Sequence, residues 1–190
     1  MSYLTVREVQ EIGFNAVGDN VQLSRRASFY SPDKIRLGSN VRIDDYCVLS
    51  AGDAGISIGS FVHLAPFCLL TGAARITLSD FSGLSSRVSI YSSTDDYSGE
   101  HLTNPTVPRV YRGVRDADVT VGRHSIIGAS TVILPGCNIA DGAAVGAMSL
   151  VTRDLPSFSI CGGIPAVVIK PRCDALLAHE EAFRSSLMHR

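Results

Sequence analysis

The chain has 190 residues, of which 45% are hydrophobic and 18% charged, so it can bury a core and is not a largely disordered protein. Its 17 basic and 18 acidic residues leave a formal net charge of −1, which favours neither nucleic acid nor an anionic membrane as a partner. Five cysteines without a Cys-x-x-Cys pair are typical of free thiols, and neither an apolar leader nor a spanning segment is evident. We therefore expect a single cytoplasmic domain without membrane insertion.

The first predicted element is a short helix within an N-terminal cap over residues 1–16. Thr5 and Glu8 have the spacing of a capping box, in which each side chain bonds the other residue's backbone amide. Gly13 can adopt the left-handed conformation that ends a helix. Such a cap would cover the unpaired strand edges at one end of a solenoid.

From residue 17 to about residue 170 an aliphatic or aromatic residue recurs every six positions, in blocks with short gaps. This period fits neither an amphipathic helix nor simple strand alternation. It predicts one short strand and one corner per hexapeptide, about 18 residues per triangular coil, and coils stacked about 4.8 Å apart in a parallel β-helix. The recurring residues are Val17, Leu23, Phe29; Leu37, Ile43, Leu49; Ile58, Leu64, Leu70; Leu78, Leu84, Ile90; and Val121, Ile127, Ile133, Ile139, Val145, Val151.

A small residue follows four positions after most of these aliphatic residues, where the chain turns beside the interior. The pattern gives Cys47, Cys68 and Cys137 buried structural positions rather than a redox or metal-binding role. Together the two rows predict an all-β fold of about six coils.

The period breaks once, over residues 92–118, and resumes at Val119. This stretch is polar, contains Pro105 and Pro108, and is too long for a corner. Long loops on rigid scaffolds usually carry function, so we expect this one to project from the column and to contribute to a site. Beyond the last coil, Leu176, Phe183 and Leu187 have helical spacing, which predicts a C-terminal helix within residues 171–190 that packs back on the coils.

The run from Val121 to Lys170 resembles the C-terminal half of hexapeptide-repeat acyltransferases, especially the sugar O-acetyltransferases of the maltose, galactoside and polysaccharide-biosynthesis type. The segments Ile133–Gly136, Gly146–Asp154 and Gly163–Ala166 carry the likeness. The resemblance implies a left-handed coil, a homotrimer, and acetyl-CoA bound as co-substrate in the groove between neighbouring columns, with no metal. It also implies acetyl transfer to a sugar or nucleotide sugar in surface polysaccharide biosynthesis.

The predicted coenzyme-binding residues lie in the last coils. Two small-residue pairs, Gly128 with Ala129 and Gly146 with Ala147, stand 18 residues apart and should stack on neighbouring coils, where a thin pantetheine arm can approach. The resemblance implies phosphate contacts from basic residues here. The candidates are Gly128, Ala129, Ala147, Ser149, Arg153 and Lys170. The chain has no tryptophan, which many relatives carry near Ile126 to stack on adenine.

The catalytic base is the point at which the chain departs from the family. Where relatives place a histidine at the start of the long loop, this chain has Asp95, followed by Asp96. Repulsion between two carboxylates can raise one pKa, while His101 and His63 have the intrinsic pKa of a base. We therefore take Asp95, Asp96, His101 and His63 as catalytic candidates.

The acceptor and two alternative functions stay open on sequence grounds. An amine acceptor is already a good nucleophile and relaxes the need for a base, whereas the overall resemblance favours a hydroxyl. A noncatalytic trimeric scaffold would not need the coenzyme-side segments. A γ-type metal hydratase would need closely placed histidine ligands, but His63 and His124 are widely separated in the sequence.

Overall fold

The structure, a computed structural model, describes residues 2–188 and contains two α-helices and 22 short strands in that range. The helices are α1 (Val6–Ile12) and α2 (Leu176–Met188), and 3-10 turns cover Pro32–Lys34 and Arg109–Tyr111. The strands are β1 Ala16–Val17, β2 Gln22–Leu23, β3 Ser28–Tyr30, β4 Ile35–Leu37, β5 Arg42–Ile43, β6 Val48–Ala51, β7 Ile56–Ile58, β8 His63–Leu64, β9 Leu69–Gly72, β10 Ile76–Leu78, β11 Gly83–Leu84, β12 Ser89–Tyr91, β13 Ser93–Thr94, β14 Arg115–Asp116, β15 Val119–Val121, β16 Ile126–Ile127, β17 Val132–Ile133, β18 Asn138–Ile139, β19 Ala144–Val145, β20 Leu150–Val151, β21 Ser159–Gly163 and β22 Ala166–Pro171.

Three parallel sheets form the walls of a β-helical column, as the six-residue period predicts. The first sheet has the order β1-β4-β7-β10-β15-β18, and the third has β20-β17-β12-β9-β6-β3. The second sheet, β2-β5-β8-β11-β16-β19-β21-β22, is longer because β21 begins a seventh coil and β22 returns antiparallel to it. The column therefore has six complete coils and part of a seventh.

The interior is a set of stacked aliphatic side chains. Every residue of the stack in the second sheet is at most 4% exposed. This stack consists of Leu23, Ile43, Leu64, Leu84, Ile127 and Val145. Two residues of the first coil depart from the six-residue rule: Val17, in the end strand β1, is 40% exposed, and Phe29, in the end strand β3, is half-buried. The cysteines at small-residue positions are buried as predicted, and Cys68 donates its thiol proton to the carbonyl of Ser85 at 3.2 Å.

The predicted long loop leaves the column after β12 and returns before β15. Its base is closed by the antiparallel pair β13 and β14, with Ser93 opposite Asp116. The insertion does not disturb the coils, because Ile76 of β10 pairs directly with Val119 of β15.

Both terminal helices form. The Thr5–Glu8 capping box is present, and Gly13 ends α1 in the left-handed conformation. Helix α2 lies on one edge of the column, where Phe183 meets the ring of Phe61 edge-on at 5.3 Å between centroids.

The contact of α2 is more polar than its apolar spacing predicted. Leu187 remains 45% exposed, whereas Glu180 is buried at 7%. The Glu180 carboxylate contacts Arg123 and Arg184 and accepts a hydrogen bond from His124 Nε2 at 2.6 Å. A charged cluster thus fixes the helix, because a carboxylate in this position is surrounded by donors.

Candidate active site

The long loop is anchored to the column by its first residues. Ser92 is buried and donates its hydroxyl proton to the carbonyl of Ala74 at 2.7 Å. Ser93 donates to the carboxylate of Asp116 at 2.5 Å, which joins the two ends of the loop. These contacts set the position of the residues that follow.

Asp96 organises the turn at the start of the loop. Its carboxylate accepts hydrogen bonds from the backbone amides of Ser98, at 2.7 Å, and His101, at 2.9 Å, and from His101 Nδ1, at 3.2 Å. Hydrogen bonds from Ser98 and then from His101 hold the pKa of Asp96 far below its ordinary value. The His101 ring also lies against Gly113, where a Cβ would be 2.7 Å from Nδ1. A carboxylate with this pKa is a poor proton acceptor, so the geometry gives Asp96 and His101 a role in loop structure.

Asp95 has a different environment. Its half-buried side chain lines a cavity of about 380 Å³ between the loop and the column, which we call the loop cleft. Within residues 2–188 its carboxylate has no hydrogen-bond or ion-pair partner. The loop cleft is lined by Thr71, Ala73, Ser93, Thr94, Asp95, Pro105, Arg109, Arg112, Val114 and Asp116. Hydroxyls, two carboxylates and two guanidinium groups can thus meet a polar ligand in one place.

His63 lies away from the loop cleft, on the outer face of β8 in the second sheet. Its Nε2 is 2.8 Å from an oxygen of the buried Asp44, which also accepts a hydrogen bond from Arg42 Nε at 2.8 Å. Burial disfavours the charged form of Asp44, but the hydrogen bonds from Arg42 and His63 outweigh it and hold the pKa of Asp44 below its ordinary value. The resulting anion orients the imidazole ring and leaves Nδ1 for other contacts.

His63 borders a second depression of about 320 Å³, which we call the His63 groove. Its lining residues are His63, Ala65, Gly83, Leu84, Ser85, Ser86 and Ile126. Gly83 lies between His63 and Ile126 on the face of the second sheet, and a Cβ placed on it would meet no atom within 4 Å. The glycine is therefore not required by packing within the chain, and its missing side chain keeps the groove open.

The predicted small-residue pairs do stack on neighbouring coils. Met148, next to Ala147, donates its amide proton to the carbonyl of Ala129 at 2.8 Å. A Cβ on Gly128 would lie 2.4 Å from the backbone nitrogen of Ala147, so coil packing alone requires this glycine. Ala147 is exposed and Ala129 is half-buried, both within reach of a ligand on the surface.

The other predicted coenzyme residues occupy different environments. Ser149 is buried, its hydroxyl donates to the carbonyl of Gly146 at 2.7 Å, and its contact with the coenzyme stays a prediction. Arg153 and Lys170 are exposed, and Lys170 lies in β22, opposite Ile160. Coenzyme contacts by Arg153 and Lys170 stay a prediction.

The structure thus brings Asp95, Asp96 and His101 together in the loop and leaves His63 on another face. The sequence reasoning did not select Asp44, Gly83, Arg109 or Arg112. The sequence signal for Gly83 was a glycine at an outward-facing strand position, directly before the inward-facing Leu84. The pairing of Asp44 with His63 had no local signal, because the two residues are 19 positions and one coil apart.

Two further findings concern the described range, residues 2–188. It contains no group of three or more His, Cys, Asp or Glu side chains placed to hold a metal ion. No helix in it is both long and apolar enough to cross a membrane.

Comparison with known proteins gives several similarities, although no family model matches the sequence. The chain is 45% identical to the dTDP-4-amino-4,6-dideoxy-D-glucose acyltransferase of Escherichia coli, covering 98% of this chain and 97% of that protein. It is 28% identical, over 63% of its length and 71% of the relative, to WcaF of Escherichia coli K12, provisionally named a colanic acid biosynthesis acetyltransferase.

Among solved structures, AntD, an N-acyltransferase from Bacillus cereus in complex with dTDP and 3-hydroxybutyryl-CoA, superposes with a TM-score of 0.94. It is 41% identical, and the match covers 98% of each chain. A serine-to-cysteine variant of AntD in complex with dTDP-4-amino-4,6-dideoxyglucose and coenzyme A has the same TM-score, with 40% identity over 97% of this chain and 98% of that chain.

Proposed function

We propose that this chain, which belongs to the hexapeptide-repeat sugar acyltransferases, transfers an acyl group from an acyl-coenzyme A to the amino group of a nucleotide-linked amino sugar. The acceptor that we propose is a dTDP-linked 4-amino-4,6-dideoxyhexose, because that is the substrate named for the bacterial relative and the ligand bound to AntD. Acetyl-CoA is the donor that the sequence predicts, and a longer acyl group is the alternative.

The observation that carries the choice of an amine is Asp95. At the start of the loop the chain has a carboxylate without a partner in residues 2–188, not the histidine of the O-acetyltransferases. A carboxylate is a weak base for an alcohol but a good hydrogen-bond acceptor for an amino group. Asp95 would therefore orient the amine of the acceptor in the loop cleft.

The reaction needs little from the protein beyond positioning. The neutral amine attacks the carbonyl carbon of the thioester, and the new C–N bond forms as the C–S bond breaks. The electron pair leaves with the sulfur, and the proton released from nitrogen passes to that thiolate or to solvent. Backbone amide groups at the coil corners are suited to stabilising the transient oxyanion.

The His63 groove is the proposed path of the coenzyme. It ends at Ile126, two residues before Gly128, and Ala147 lies on the next coil. Small residues along this strip would admit the narrow pantetheine arm, with Arg153 and Lys170 near the phosphates. In a homotrimer, which we also propose, a groove of one subunit would meet a loop cleft of its neighbour.

The proposal also covers the location of the enzyme in the cell and the pathway in which it acts. An acyl-CoA donor and a nucleotide-sugar acceptor are cytoplasmic metabolites, and the five cysteines include no disulfide in the described range, which supports the predicted cytoplasmic location. The similarity to WcaF supports a place in surface polysaccharide biosynthesis.

The test measures thiol release from acetyl-CoA and from 3-hydroxybutyryl-CoA with dTDP-4-amino-4,6-dideoxyglucose, and with dTDP-glucose as the hydroxyl control. We expect turnover with the amine only, and a rise in melting temperature on adding acyl-CoA by mass action. Single changes of Asp95, Asp96 and His101 to Asn should leave acyl-CoA binding intact. Among these three and His63→Asn, turnover should be abolished in at least one variant, Asp95→Asn first. Equal turnover with dTDP-glucose would contradict the choice of acceptor.

A further inference from the structure

The loop cleft contains two arginines to which the proposed chemistry assigns no role. Arg109 and Arg112, both within the loop, line it. They begin and follow the 3-10 turn Arg109–Tyr111, in which the amide of Arg112 donates to the carbonyl of Arg109 at 3.1 Å. Because a 3-10 helix has three residues per turn, the side chains at these two positions project from the same side.

Neither guanidinium group has a hydrogen-bond partner among residues 2–188. Arg112 Nε is buried and has no hydrogen-bond partner among residues 2–188. The nearest carboxylate oxygen to Arg109 belongs to Asp116, at 3.6 Å, too long for a hydrogen bond. Asp116 is already held by the hydroxyl of Ser93. A buried N–H without a partner is unfavourable, and a ligand acceptor would remove that cost.

Of the two carboxylates in the cleft, that of Asp116 pairs with Arg109 at 3.6 Å. Asp95 faces the same cavity, yet it forms no ion pair with either arginine. A carboxylate at one place and two guanidinium groups at another match a ligand that carries an amino group and a separate anion. A nucleotide-linked amino sugar has this pattern, since the sugar ring separates its amine from the diphosphate.

We infer that Arg109 and Arg112 bind the diphosphate of the acceptor, while Asp95 binds its amine. Planar guanidinium groups match phosphate oxygens in pairs, which gives both affinity and orientation. This inference rests on the proposed function. Coenzyme A also carries a diphosphate, but the presence of Asp95 in the same cleft assigns the arginines to the acceptor.

The experiment compares Arg112→Gln and Arg109→Gln with Arg7→Gln, a control on the exposed face of α1. For each we measure the dissociation constant of dTDP by calorimetry and the KM values for dTDP-4-amino-4,6-dideoxyglucose and for the acyl-CoA. The free sugar 4-amino-4,6-dideoxyglucose serves as an acceptor without phosphate. Loss of one guanidinium should weaken dTDP binding and raise the acceptor KM about tenfold, a typical loss for a charge-assisted contact. The KM for acyl-CoA and kcat/KM for the free sugar should not change.

Three results would overturn the inference: unchanged dTDP affinity in both variants, a raised KM for acyl-CoA in place of the acceptor, or an equal loss with the free sugar. If Arg112→Gln does not fold, Arg109→Gln decides, because the Arg109 side chain is 76% exposed and its replacement leaves the core intact. The proposed function fails separately, when the wild-type chain binds dTDP but acylates no amino sugar. In that case the calorimetric comparison still decides the role of the arginines.

Discussion

Asp96 and His101 are joined twice: the Asp96 carboxylate accepts hydrogen bonds from the His101 backbone amide at 2.9 Å and from its Nδ1 at 3.2 Å. The adjacent Asp95 carboxylate has no such partner in residues 2–188. Two neighbouring acidic residues therefore differ in environment, since one is bonded to the loop backbone and the other faces the cleft.

The first prediction separates these two aspartates. Asp96→Asn should loosen the loop and speed its cleavage by trypsin, whereas Asp95→Asn should be cleaved at the wild-type rate. Since the pKa of Asp96 is lowered in the fold, its contribution is present above the ordinary value of about 3.9 and is lost as the pH falls through the folded-state pKa. Lowering the pH should therefore loosen the loop less in Asp96→Asn than in the wild-type chain. Faster cleavage of Asp95→Asn would contradict the assignment.

The second prediction concerns the buried Asp44. Asp44→Ala should lower the free energy of unfolding by about 1–3 kcal/mol, because Arg42 and His63 both lose their acceptor. The lowered pKa of Asp44 means that its stabilisation is lost as the pH falls below about 4, so Asp44→Asn should flatten the acid limb of the stability curve. Urea titrations from pH 7 to pH 2 measure both effects. Asp53→Ala, at an exposed pair with Lys34, is the control and should change stability little.

The third prediction compares two glycines. Gly83→Val should fill the His63 groove and reduce kcat/KM for acyl-CoA at least about tenfold, with stability changed by less than about 0.5 kcal/mol, since a Cβ there meets no atom within 4 Å. Gly128→Ala should instead destabilise the column by about 1–3 kcal/mol, because its Cβ would lie 2.4 Å from Ala147. Steady-state kinetics and urea denaturation distinguish the two. Normal kinetics in Gly83→Val would remove the groove from the reaction.

The fourth prediction concerns the attachment of α2. Glu180→Ala leaves Arg123, His124 and Arg184 without their shared carboxylate and should cost about 3 kcal/mol, the usual loss when one partner of a buried ion pair is removed. We expect earlier unfolding in urea and rapid proteolysis within residues 176–188. Glu181→Ala, at the exposed neighbouring position, is the matched control. Equal stability of the two variants would show that other contacts of the helix, such as those of Phe183 and of Arg184 with Asp80, hold it without Glu180.

Most of the column follows from the sequence because its interior admits only one kind of side chain at each sixth position. Leu64 and Leu84 illustrate the rule, because they pair with each other on neighbouring coils and stack in the interior. Val17 breaks it because an end strand has a neighbour on one side only. The polar contact of α2 was not predictable, because Glu180 meets Arg123 and His124 only after the helix has docked.

The candidate active site was harder to predict from the sequence than the column. The loop and its acidic pair could be located, but the hydrogen bonds that separate Asp95 from Asp96 depend on the folded turn. Asp44 was missed because its partner His63 lies one coil away. Arg109 and Arg112 were missed because a short 3-10 turn leaves no periodic signal.

The pairing of Ile76 with Val119 shows that the column continues as though the chain between them were absent. Everything between Ser93 and Asp116 can therefore change in length or composition while the walls keep their register. With the acceptor bound in the loop cleft, as proposed, exchange of this one segment would alter the sugar that is accepted, and the proposed acyl-donor groove would not need to be rebuilt.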